Sequence, residues 1–96
     1  MRADYDSSAN AISIVIADAQ HVDQSDEVHS RAMVALAQGR PVEVQVLYPD
    51  MGLSEPLGTV AGRYQLDREA LEAAARSALA APDRVVVLEV AARASA

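Results

Sequence analysis

Ninety-six residues, 51% of them apolar, with a formal net charge of −6, allow one small domain and a modest core. With no cysteine there are no disulfides, thiolate metal sites or cysteine nucleophile, and with no lysine there is no Schiff base and no Walker-type phosphate loop. The acidic balance argues against binding nucleic acid or an anionic membrane, and no apolar run approaches the ~20 residues of a membrane span.

The N-terminus, MRADYDSSAN, is polar and acidic and lacks the layout of a signal peptide, so a cytoplasmic location is expected. Ile12, Ile14 and Ile16 alternate, which predicts a strand over about 11–17. Asp18 to Glu27 is polar and reads as a loop. Residues 30–37, SRAMVALA, read as a strand, with a short helix as the rival because Ala, Met and Leu form helices well. Val42, Val44 and Val46 alternate with Glu43, Gln45 and Leu47 in a second strand at about 42–48. Gly39 supplies the tight turn between them, and Pro41 is tolerated at a strand start.

Pro49, Gly52, Pro56, Gly58 and Gly62 make residues 49–63 read as a long loop. A helix is predicted over about 67–80. Asp67 is its N-cap, Leu66 and Leu71 form a staple, and Leu71, Ala74, Ala75, Ala78 and Leu79 make one apolar stripe. Pro82 stops it. VVVLEV completes a last strand at about 84–90; valine on both its faces predicts an internal or covered position. Residues 91–96 have no reason to be ordered. The fold class is α+β: an antiparallel β-meander, one helix packed on one face, and a final strand whose direction is open.

Twenty of the apolar residues are alanine, and phenylalanine and tryptophan are absent. Twelve valines, eight leucines and three isoleucines must fill the interior. A core this thin predicts that a second copy covers the other face of the sheet, so a homodimer is expected.

Tyr5-Asp6-Ser7-Ser8-Ala9-Asn10-Ala11, followed by the alternating Ile12-Ser13-Ile14, resembles the opening of a bacterial family of small domains of unknown function, family number 2283. Gly39-Arg40-Pro41-Val42 and Val44-Gln45-Val46-Leu47 fall where that family has its second hairpin. The resemblance spans about residues 5–48. Asn10 stands where the family usually has Asp, Glu43 where it has Gly, and Gln45 where it has Glu. The resemblance implies a β-meander and carries no activity with it.

The densest group of chemically capable side chains is Asp18, His21, Asp23, Asp26 and His29. Mixed imidazole and carboxylate donors suit a first-row metal, but the spacing matches no metal motif, and an acidic surface loop explains the same residues. His21, Asp23, Asp26 and His29 are carried as ligand-binding candidates, with no metal, cofactor or catalytic residue assigned. Ser13, Ser25 or Ser30 beside His21 or His29 would suit a nucleophile and base, yet no nucleophile elbow marks any of them. Gly58 to Arg63 faintly resembles a phosphate loop but lacks its Gly-Lys ending. The sequence favours a non-catalytic homodimeric interaction or regulatory module, with another protein as a further partner. The alternative is a small ligand- or metal-binding protein or enzyme using the His21–His29 loop or the 49–63 loop.

Overall fold

The computed structural model describes residues 1–88. In chain order these form β1 (Arg2–Asp6), β2 (Ala11–Val15), β3 (Gln24–His29), β4 (Ala32–Ala37), β5 (Arg40–Leu47), a 3-10 turn at Pro49–Met51, α1 (Ser54–Tyr64), α2 (Arg68–Ala80) and β6 (Val85–Val87). The strands make one antiparallel sheet in the order β3-β4-β5-β2-β1-β6. Helix α1 packs against β3, β4 and β5, and α2 against β1, β2 and β6. The fold is α+β, as the sequence indicates.

Register explains the core. Ala3 lies opposite Ile14, Ile14 opposite Val44, and Val44 opposite Val34; one residue pair along, Ile12, Val46 and Ala32 line up. Side chains alternate between faces, so these rows share a face, and all of them are buried with Leu57 and Val60 of α1 and Leu71, Ala74, Ala75 and Ala78 of α2. Both helices therefore lie on one side, and the other side of the sheet carries no helix. The β4–β5 hairpin turns at Gln38 and Gly39, both with positive φ (53° and 79°), the pairing of a type I′ turn. Pro41 sits opposite Leu36, where the register shifts, so its missing N–H falls at an irregularity.

Four expectations need correction. The N-terminal stretch is a strand. Ala3 and Tyr5 face the helices while Arg2, Asp4 and Asp6 alternate outward, so a polar composition hid a period of two. The segment expected as a loop over 18–27 contains the start of β3, an edge strand that puts only Val28 into the core as a hydrophobe. The long loop over 49–63 is a 3-10 turn followed by α1. Pro56 is the third residue of that helix, where the N–H has no intrahelical acceptor to lose. A Cβ at Gly58 would stand 3.2 Å from the Arg68 Cζ, so a larger residue there would ask that guanidinium to give by a few tenths of an ångström. Finally, among the described residues β6 is the last strand of the sheet, with Val85 and Val87 exposed rather than covered, and it runs antiparallel to β1. Expectations for residues 89–96, including the end of that strand and the tail, lie outside the described residues.

The predicted helix is present with its cap. The Asp67 carboxylate accepts a hydrogen bond from the Ala70 N–H at 3.1 Å. Glu72 pairs with Arg68 at 2.9 Å and Arg76 at 3.3 Å. The Arg68 guanidinium, with Arg76 behind it, holds the Glu72 carboxyl below the usual glutamate range. Arg68 also donates to the Ser54 hydroxyl at 2.6 Å, tying α2 to the first turn of α1.

The residues that carry the family resemblance build the β1–β2 hairpin. The Tyr5 hydroxyl donates to the Asn10 side-chain carbonyl at 2.8 Å. Asn10 adopts a left-handed conformation, φ 53°, which asparagine tolerates better than most residues. The Asp6 carboxylate accepts from the Ser8 hydroxyl and from the Ser8 and Ala9 N–H groups, and these bonds hold it below the ordinary aspartate range.

Candidate functional site

The residues from Asp18 to His29 do not converge. Asp18 pairs with Arg2 at 2.9 Å on the exposed surface. His21 is exposed in the segment leading to β3. The Asp23 carboxylate accepts from the Gln38 N–H at 3.1 Å and so braces the β4–β5 turn. Asp26 and His29 lie on the helix side of β3, opposite Val34 and Ala32. Among the described residues, no group of three or more His, Asp and Glu side chains is placed to hold a metal ion.

Asp26 and His29 instead belong to a polar seam between the outer strand of the sheet and α1. The Tyr64 hydroxyl donates to Asp26 Oδ2, and Arg63 Nε approaches the same oxygen at 3.0 Å. Farther along the strand, His29 Nε2 lies 3.4 Å from Glu55 Oε1, while its Nδ1 accepts the Arg31 N–H at 3.0 Å. The second bond fixes the tautomer. Nδ1 is the acceptor, so the neutral ring carries its proton on Nε2, facing Glu55. The seam thus joins α1 to β3 at both ends of the helix. Asp26 is a candidate that the sequence supplies, but its partners come from α1, most of which falls in the predicted 49–63 loop.

The seam has a measurable property. The Asp26 carboxylate accepts the Tyr64 proton and so raises the phenol above its ordinary ionisation range, with partial burial adding to the effect. A raised phenol favours the protonated folded form, so this contribution is fully present below the pKa of a free tyrosine and is lost as pH rises through the folded value. In a spectrophotometric titration, Tyr64→Phe is expected to remove a phenolate component that ionises above the ordinary tyrosine range. Asp26→Asn is expected to bring that component to lower pH. If neither substitution alters the alkaline end of the curve, the Tyr64–Asp26 bond is not maintained in solution.

The helix-free side holds the second set of features. A shallow hollow of about 220 Å³ is lined by Val22, Ser25, Met33, Ala35, Glu43 and Gln45. It adjoins another of about 180 Å³ that shares Val22 and Glu43 and reaches Arg2 and Asp18. Ser13 and Ser25 also face this side, opposite Gln45 and Ala35. They are thus separated by the sheet from His29, and a Ser–His pairing with that histidine is not formed. Gly58 to Arg63 lies in α1, so the faint likeness to a phosphate loop has no loop to act through.

No helix among the described residues is long and apolar enough to cross a membrane. Compared with known proteins, the chain matches no family model, no curated protein and no solved structure.

Proposed function

We propose that the protein is a non-catalytic, homodimeric interaction module, whose self-association uses the apolar β6 end of the sheet and whose helix-free face receives a protein partner. One-sided coverage is the observation that carries this reading. Both helices pack on a single face, while Val85 and Val87 stay 64% and 75% exposed and Val22 and Met33 stay 53% and 37% exposed. The two pairs lie toward opposite ends of the sheet, and exposed apolar side chains on an uncovered face are candidates for interaction sites. The resemblance to family 2283 is part of the same proposal. It rests on the Tyr5, Asp6 and Asn10 contacts of the first hairpin and adds no activity. A cytoplasmic location also belongs to the proposal and rests on the sequence alone.

A second reading, capture of a small ligand near the His21–His29 segment, is favoured by the hollow that Val22 and Ser25 line with Glu43 and Gln45. The 49–63 half of that alternative loses the support of an open loop, because a 3-10 turn and α1 occupy most of those residues.

Native mass spectrometry of the purified chain separates the two. A chain of 10.1 kDa should appear at twice that mass with nothing retained. A monomer at tens of micromolar would overturn the homodimer. Additional mass from a metal or small molecule would favour the ligand reading, and substitution of His21 and Asp23 would then be the next step.

A further inference from the structure

We infer that the helix-free face of the sheet receives a basic, amphipathic helix of a protein partner, whose cations meet Asp4, Glu27 and Glu43 and whose apolar stripe fills the hollows beside Val22. This rests on the partner-receiving face proposed above, to which it adds the partner's chemistry.

The register places the charges. Asp4 and Glu27 end a row that crosses the sheet through Ser13, Gln45 and Met33, and Glu43 lies in the next row between Val15 and Ala35. All three carboxylates point away from the helices, because their chain neighbours Ala3, Val28 and Val44 pack into the core. With strands about 4.8 Å apart, the Asp4 and Glu27 backbones are roughly 19 Å apart, and Glu43 is roughly 12 Å from each. None of the three carboxylates makes an ion pair or side-chain hydrogen bond among the described residues. Arg2, in the same row as Glu43, is already held by Asp18. On the helix side, by contrast, Asp26 is met by Arg63, and Glu72 by Arg68 and Arg76. The bare face is thus left with unmatched negative charge.

Charge and shape together select the occupant. The same face of a second copy would set these carboxylates against their own kind, and nucleic acid or an anionic membrane would be repelled as well. A free cation would satisfy the carboxylates and leave the apolar surface in water. Val22 and Met33 are exposed beside two adjoining hollows of about 220 and 180 Å³, which meet at Val22 and Glu43. An amphipathic helix answers both demands. Helices are the ordinary cover for a sheet face, and leucine-sized side chains enter the hollows. The stems of flanking lysine or arginine residues run over Val15 and Met33 toward the carboxylates. Seven or eight residues of helix cover about 11–12 Å, which matches the spacing from Glu43 to Asp4 or Glu27.

The test uses the unmodified chain and a synthetic helix of about 18 residues, built of leucine and lysine in amphipathic order, with a leucine–glutamine helix as its neutral counterpart. In an amide-resolved NMR titration the lysine helix is expected to shift the Met33, Glu43 and Gln45 amides. It should bind at least about tenfold tighter than the glutamine helix. Glu27→Gln combined with Glu43→Gln should weaken its binding by about fivefold or more. Glu55→Gln combined with Glu69→Gln removes the same charge from exposed positions on the helix side, and should change binding by less than about twofold. Equal losses from the two pairs, or shifts confined to α1 and α2, would mean diffuse charge attraction and would overturn the basic-helix site. If both synthetic helices shift the strand amides with equal affinity, the face receives a partner but the basic chemistry is wrong. If neither does so at millimolar concentration, the partner-receiving face falls as well, while the homodimer is decided separately by its mass.

Discussion

Leu57→Ala is expected to lower the unfolding free energy by about 3 kcal/mol, the middle of the range for a buried leucine truncated to alanine. Leu57 is the largest of the fully buried side chains of α1. Val60, Ala61 and the partly buried Leu53 and Tyr64 make up the remainder of that contact, so little neighbouring bulk is available to refill the space. Urea unfolding of the variant, with Met51→Ala as a control, is the appropriate measurement. Met51 is exposed, and its truncation should stay within about 0.5 kcal/mol of the parent. A loss below about 1 kcal/mol at Leu57 would mean that α1 does not rest on the sheet in solution.

The second large effect is expected on α2 and runs in the opposite steric sense. Ala74, Ala75 and Ala78 are completely buried, so the helix backbone lies close to β1 and β2. A larger side chain has no void to enter. Ala75→Leu is expected to destabilise by about 2–3 kcal/mol through overpacking, although leucine is more hydrophobic than alanine. Ala80→Leu, on the exposed side of the last turn, should be close to neutral. Equal responses at the two positions would show that the alanine stripe is not the packed face.

How much of this was legible in the sequence depended on which cue each element used. β2, β4, β5 and α2 advertise themselves through apolar periodicity, a Gly-centred turn and an aspartate cap, and all are present close to their expected bounds. α1 was obscured by Pro56, Gly58 and Gly62. Its true signal was the spacing of Leu53, Leu57, Val60, Ala61 and Tyr64, which falls on one helical face. Breaker counting outweighed that period because it ignored position: a proline in the first turn breaks nothing. β1 and β3 were missed for a different reason. Strand preference reflects packing against neighbours more than intrinsic tendency, so acidic residues that face water or meet a tyrosine conceal a strand that its partners hold in place.

The candidate site was legible only by halves. Asp26 and His29 stood out as residue types, but which side of the sheet they take depends on the β3–β4 register and its bulge, which no local pattern reveals. Val85 and Val87 looked like core because hydrophobicity alone does not tell a central strand from an edge. That distinction is topological and appears only once β6 is seen to close the sheet beside β1.

The pairing of the first and last described strands also sets an order of events during synthesis. Met1 and Leu88 lie 87 positions apart, yet they share two hydrogen bonds. At ribosomal rates of about 5–20 residues per second, β1 waits roughly 4–17 s before β6 is made. Throughout that interval one flank of the nascent hairpin is an open template for unrelated chains. Arg2, Asp4 and Asp6, spaced along β1 at every second residue, act as gatekeepers for the wait. The stickier valines are translated only when their own acceptor is already in place.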